Sequence, residues 1–170
     1  MDRWKLILGV CIIIALIAWV RSGSMTGKTA PDFSLTTVDG ATVHLSNEKG
    51  KVVLLDFWAT WCGPCRMSLP HVQQASANDA WASRGLVVWA VNNQESPADV
   101  DRFLTQNNFS FTVPMDQTGA VMSAYGVSGI PTTIIVGRDG TVKDEFVGYG
   151  DASAAQIDAA IEKALSQTAH

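Results

Sequence analysis

The feature that most constrains this chain is Trp61-Cys62-Gly63-Pro64-Cys65-Arg66, reached through the apolar run Val52-Val53-Leu54-Leu55-Asp56-Phe57-Trp58. A continuous apolar run of this length reads as a buried strand. It ends at a tight turn and opens a helix, where Pro64 suits an early position because its missing N–H would have no partner there. Two thiols separated by two residues at such a helix start can close into a small disulfide ring and reopen. The helix N-terminus carries partial positive charge and free N–H groups, which favour an anion over a neutral group. A thiol there has a lowered pKa and is partly thiolate near neutral pH, the form that attacks disulfides. Cys62, at the cap, is the expected nucleophile. Cys65, one turn in and more buried, is the expected resolving thiol.

The remaining cysteine, Cys11, lies in an apolar segment near the N-terminus. Cys62 and Cys65 alone cannot build a disulfide framework, which leaves a catalytic pair. Zinc is the competing use of such a pair. A structural zinc site needs four ligands, and the other candidates are the scattered His44, His71 and His170, with no second C-x-x-C or H-x-x-x-H. No metal and no cofactor beyond the cysteine pair itself is expected.

The 170 residues carry a net charge of -4. Removing residues 1–24 takes away Arg3, Lys5 and Arg21 and one acid, Asp2, leaving nine basic and fifteen acidic groups and a net charge of -6. A mildly acidic body without a basic stripe argues against nucleic acid. Leu6 to Val20 is uninterruptedly apolar. As a helix, Trp4 to Val20 would reach about 25 Å, the short limit for a bilayer span. Trp4 and Trp19 sit where interfacial aromatics belong. A cleaved signal peptide is the rival, with Ser22-Gly23-Ser24 as the small residues at its cleavage site. Length and aromatic flanks favour an uncleaved anchor over residues 1–24, followed by one α/β domain over 25–170. The flanking charges barely decide orientation.

Within the domain, Ala30 to Leu35 and Thr42 to Ser46 read as a β-hairpin around Val38-Asp39-Gly40. The helix from Cys62 is expected to run to about Ala82, bent or broken near Pro70. Leu86 to Val91 is a second buried strand. Ser96-Pro97-Ala98-Asp99 starts a helix with a capping serine and proline at the first position. Alternation over Phe109 to Val113 predicts a strand. Thr132 to Val136 and Val142 to Val147 pair across Asp139-Gly140, and Ala154 to Gln167 closes the fold as a helix.

Asp56 is the most informative residue after the cysteines. Inside an apolar strand, an unpaired carboxylate is costly and its pKa should rise. The bland alternative is a solvated acid at a strand edge, but Leu54-Leu55 before it and Phe57-Trp58 after it favour burial and a proton-transfer role. Trp58 reads as core and Trp61 as an exposed flank of the site. Arg66 adds positive charge near the helix start or is simply solvated. His71, about two turns beyond Cys65, reads as structural rather than as a partner for a hydrolytic cysteine.

Leu55 to Cys65 resembles the thioredoxin active-site strand and turn almost residue for residue. Tyr125-Gly126-Val127-Ser128-Gly129-Ile130-Pro131-Thr132-Thr133 is similar to the thioredoxin loop whose proline is cis and faces the cysteines. The N-terminal extension and the enlarged section over 92–118 resemble the membrane-anchored TlpA/ResA branch. The resemblance implies a thioredoxin fold, a central mixed β-sheet flanked by helices, with an N-terminal β-hairpin, a helix-strand insertion and one preceding transmembrane helix. It implies that Asp56 occupies the position of the buried acid that exchanges a proton with Cys65. It implies a cis Pro131 that exposes the backbone of Ile130 to a substrate strand, so that Trp61, Gly63, Pro64, Ile130 and Pro131 form the substrate-binding surface. Gly63 and Pro64 set the ring conformation between the thiols. The family further implies disulfide-containing protein substrates, a membrane thiol transporter of the DsbD or CcdA type as electron donor, and a domain on the periplasmic side of a bacterial inner membrane.

The chain departs from that pattern in two places. Relatives that serve cytochrome c maturation usually carry an acid three residues after the second cysteine, where this chain has Ser68, and often an uncharged residue at Asp56. A TlpA-like frame with a thioredoxin-like proton relay points to a broader substrate range than haem-related reduction. The expected activity is protein-disulfide reduction. A thiol oxidase or isomerase is the nearest rival. A thioredoxin-fold chaperone for a metal or assembly partner, using Met67 and His71, is the rival from outside enzymology.

Overall fold

The computed structural model describes residues 24–150 and 153–167. The expected span over residues 1–24 lies outside them, save Ser24. Among the described residues no helix is long and apolar enough to cross a membrane.

A five-stranded mixed sheet holds the domain together. Its strands are β3 (Val52–Trp58), β4 (Leu86–Asn93), β5 (Met115–Asp116), β6 (Thr132–Val136) and β7 (Val142–Val147), in the spatial order β5-β4-β3-β6-β7. β3 lies at the centre, parallel to β4 and antiparallel to β6, and every one of its residues is buried. The expected hairpin is present in shortened form as β1 (Ser34–Thr36) and β2 (Thr42–His44), followed by a 3-10 turn over Leu45–Glu48.

Because side chains alternate along β3, its two faces feed two cores. Val52, Leu54 and Trp58 pack with Leu69 and Val72 of α1 (Gly63–Ser76), Val100 and Leu104 of α3 (Pro97–Asn107), and Ile157 and Ile161 of α5 (Ser153–Ser166). Val53, Leu55 and Phe57 pack on the other face with Phe33, Leu45, Trp89 and Tyr125. Tyr125 follows the short helix α4 (Ala120–Ala124), which the sequence reading missed, and donates its hydroxyl to the Pro31 carbonyl at 2.9 Å.

Two expectations are corrected. Pro70 does not break α1, which ends at Ser76 instead of running to Ala82. The break lies at Ala77-Asn78, where the Asn78 side chain accepts from Trp81 N at 3.1 Å and caps a separate helix, α2 (Asp79–Ser83). The strand expected over Phe109 to Val113 is not formed. Phe111 and Val113 do bury, but strand pairing of this segment with β4 is limited to an isolated bridge between Thr112 and Trp89, and the strand residues paired with β4 are Met115 and Asp116. Pro114 between them has no N–H to give a ladder. The start of α3 is as expected, with Asp99 N donating to the Ser96 hydroxyl at 3.2 Å.

Candidate active site

β3 delivers the chain to one end of the sheet at Trp58, whose indole N–H donates to the Ala90 carbonyl at 3.1 Å and fixes the strand end against β4. Four residues later Cys62 caps α1 with extended backbone, and its sulfur accepts from Cys65 N at 3.1 Å. Cys62 and Cys65 are joined as a disulfide, with an S–S distance of 2.04 Å. Cys62 is 5 % exposed and Cys65 is fully buried, so an incoming group meets Cys62 first. Trp61 is 67 % exposed beside it, and Gly63 and Pro64 are also exposed.

The opposite wall comes from the segment before β6. The Ile130–Pro131 peptide is cis, and the Ile130 carbonyl oxygen lies 3.7 Å from Cys62 Sγ. Gly148 N donates to the Pro131 carbonyl at 2.7 Å, which ties this wall to the end of β7. The structure therefore brings Trp61, Cys62 and Ile130-Pro131 together at one end of the sheet.

Asp56 lies two residues before Trp58, on the same face of β3, toward the core that contains Cys65. It is fully buried. Its Oδ1 accepts from the Thr133 hydroxyl at 2.8 Å, and Oδ2 has no hydrogen-bond partner among the described residues. Burial pushes its pKa up to about 7, against the pull of the Thr133 hydrogen bond. Such a carboxyl can take up or release one proton near neutral pH inside the protein.

Other sequence readings resolve simply. His71 Nε2 lies 2.8 Å from Asp158 Oδ1, bridging α1 to α5, so it is held for structure and not beside the sulfurs. Ser68 is buried and donates to the Cys65 carbonyl at 2.9 Å. Arg66 is not merely solvated: its Nε donates to the Thr60 carbonyl at 2.7 Å and its guanidinium sits 5.3 Å from the Phe103 ring centroid.

Two residues of the site escaped the sequence reading. Thr133 is one; only the β3–β6 register, which sets it opposite Asp56, reveals it. Glu95 is the other. Its carboxylate accepts from Thr60 N at 2.7 Å, from the Thr60 hydroxyl, and from Asn92 Nδ2 at 2.7 Å. A lone acid in the loop after β4 carries no sequence signal of this. With Arg66, Glu95 clamps the loop that presents Cys62.

A chain of this shape has known counterparts. Residues 25–161 match the Redoxin family model. The thiol-disulfide oxidoreductase ResA of Geobacillus thermodenitrificans is 33% identical over 128 residues, covering 75% of this chain and 72% of the relative. The ResA of Geobacillus kaustophilus is 30% identical over 155 residues, covering 85% and 88%. A crystal structure from Chlorobium tepidum, assigned as a thiol:disulfide interchange protein DsbE, superposes with a TM-score of 0.77 at 40% identity, covering 84% of this chain and 99% of that one. The redox pair thus sits in a frame shared along most of the chain, which belongs to the Redoxin family as a thiol-disulfide oxidoreductase of the ResA and DsbE type.

Proposed function

We propose that the protein reduces disulfides in extracytoplasmic proteins while tethered to the bacterial cytoplasmic membrane through residues 1–24, with residues 25–170 as its catalytic domain. The observation that carries the reading is the Cys62–Cys65 pair at the start of α1, backed by a buried acid with one unpartnered oxygen. In the reduced protein, the Cys62 thiolate attacks a substrate disulfide and forms a mixed disulfide. Cys65 loses its proton to Asp56, attacks Cys62 Sγ and releases the substrate as a thiol, leaving the Cys62–Cys65 disulfide. No cofactor beyond this pair enters the cycle.

A substrate strand would lie against Trp61, Gly63, Pro64 and the Ile130-Pro131 backbone. Main-chain contacts give affinity with little sequence preference, which suits a broad range of disulfide-containing proteins. The reductant direction draws on Gly63-Pro64, the dipeptide of reducing thioredoxins. Each turnover consumes two electrons, so a membrane thiol transporter of the DsbD or CcdA type is the proposed donor. The domain then lies on the periplasmic side.

The test is a pair of single replacements assayed for disulfide reduction with dithiothreitol as electron source. Cys62→Ser abolishes turnover, and Cys65→Ser accumulates the mixed disulfide on Cys62. Reductase activity retained in Cys62→Ser contradicts the reading.

A further inference from the structure

We infer that the end of the sheet carrying Cys62 and Cys65 faces the bilayer that holds the chain's own N-terminal segment, with Trp61, Met67 and Val147 as the surface turned to the lipid headgroups. The inference rests on the proposal that residues 1–24 are a retained anchor.

β7 is an edge strand of the sheet. The β3–β6 register places Phe57 opposite Thr132, and the β6–β7 register places Thr132 opposite Val147. Val147 is therefore at the active-site end and Val142 at the far end. The segment entering the domain runs along β7 in the opposite direction. Thr29 bridges Thr141 in antiparallel fashion, Gly27 N donates to the Val142 carbonyl at 2.8 Å, and Val142 N donates to the Lys28 carbonyl at 2.9 Å. Further up the strand, Glu145 accepts from Met25 N at 3.1 Å and from the Ser24 hydroxyl at 3.0 Å. Followed back from Thr29 to Ser24, the chain climbs toward the cysteines. It is held there, about two residues, or roughly 7 Å, short of the end of β7.

The tether beyond that point is short. The apolar segment ends at Val20, so four residue steps separate it from Ser24. Fully extended, they span at most about 14 Å, whereas a domain of this length is roughly 35–40 Å across. An attachment this short, leaving from the upper part of β7, keeps the upper end of the sheet near the bilayer and the lower end away from it.

That end carries exposed apolar side chains around the exposed Arg66. Trp61, Met67 and Val147 are 67 %, 60 % and 71 % exposed, and they are the large hydrophobic side chains that stand exposed among the described residues. Trp61 precedes α1 by two residues, Met67 lies in its second turn, and Val147 ends β7, so all three sit toward one end of the fold. Single exposed apolar residues are ordinary, but their confinement to one end is the pattern of a contact surface. A tryptophan there suits the headgroup region.

Tryptophans mark both ends of the molecule and make the test direct. Trp61 marks the active-site end. Trp81, in α2 beside the start of β4, marks the other, where its indole N–H donates to Glu162 at 2.6 Å. The full chain, labelled with 5-fluorotryptophan, is placed in nanodiscs of phosphatidylcholine and phosphatidylglycerol that contain a gadolinium-chelating headgroup lipid. Resonances are assigned by single Trp→Phe replacements and read by fluorine NMR. The expected result is loss of the Trp61 signal through paramagnetic broadening while Trp81 keeps its linewidth, with Trp4 and Trp19 also broadened. Twelve glycine and serine residues inserted between Gly23 and Ser24 should restore the Trp61 signal. Broadening of Trp81 equal to or greater than that of Trp61, with Trp4 and Trp19 broadened, overturns the orientation and leaves the anchor standing. Sharp lines for Trp4 and Trp19 overturn the anchor itself and the orientation with it.

Discussion

The Thr133 hydroxyl donates to Asp56 Oδ1 at 2.8 Å across the β3–β6 pair, while the second carboxylate oxygen of Asp56 is left without a partner among the described residues. One hydrogen bond does not replace the water lost on burial, so the acid stays protonated well above its ordinary range, with a pKa pushed up to about 7. A carboxyl in this balance can exchange a proton near neutral pH, which is what the proposed relay to Cys65 requires of it.

The same imbalance makes stability depend on pH. Because the folded-state pKa is raised, folded Asp56 holds its proton where the unfolded residue has released it. The stability present below about pH 4 is lost progressively as pH rises to about 7. The full difference between 3.8 and about 7 corresponds to about 4 kcal/mol. Asp56→Asn should remove this slope and melt above the parent protein at pH 8, in the oxidised state, while slowing disulfide reduction. Thermal denaturation across pH 4–8 checks it; a variant that melts no higher at pH 8 contradicts the assignment.

Thr133→Val takes away the one donor to Asp56. A hydrogen bond to a charged group contributes about 1.5–3 kcal/mol, so the Asp56 pKa should climb by about one to two pH units. Carbon NMR of the Asp56 carboxyl, titrated in the oxidised protein, reads this directly. An unchanged or lower midpoint would show that Thr133 does not hold the acid.

Glu95→Ala leaves Thr60 N–H, the Thr60 hydroxyl and Asn92 Nδ2 without their acceptor. Thr60 is half-buried and water can take the place of its acceptor, so the expected cost is that of the fully buried Asn92 donor, about 1–3 kcal/mol. Denaturant unfolding should show a loss in that range, and kcat for disulfide reduction should fall because the loop presenting Cys62 is released. Parent-like stability and turnover would show that Glu95 does not hold the loop.

His71 and Asp158 give the contrasting case. Asp158 is half exposed, so even a fully charged pair at this position would contribute only about 0–1 kcal/mol. Asp158→Asn should therefore cost no more than that and leave reductase activity at the parent level. A large fall in activity would place His71 in the chemistry after all.

How much of this was legible in the sequence depends on whether the signal was local. The run Val52 to Trp58, the Cys62 cap and Ser96-Pro97 carry their structural meaning in adjacent residues, and the structure matches them. Asp56 was readable because a carboxylate amid leucines and aromatics has few explanations. Thr133 and Glu95 were not. Their partners lie 77 and 35 residues away in sequence, and only strand register and loop packing bring them together. Pro70 misled in the other direction. Its effect on a helix interior is real, but α1 absorbs it, and the side chain of Asn78 decides where the next helix starts. The alternation of Phe109 to Val113 reported burial correctly and pairing incorrectly, since an inward-facing Phe111 needs no ladder, and Pro114 limits one.

The central claim is that the Cys62–Cys65 pair works as a reductant, and its midpoint potential tests this most directly. The couple should be equilibrated in dithiothreitol and glutathione buffers, in the full chain solubilised in detergent. A reducing thioredoxin lies near about −270 mV and the oxidant DsbA near about −120 mV, a gap of about 7 kcal/mol. A value close to about −270 mV is the predicted result. A value close to about −120 mV would contradict the account and make the protein a disulfide donor.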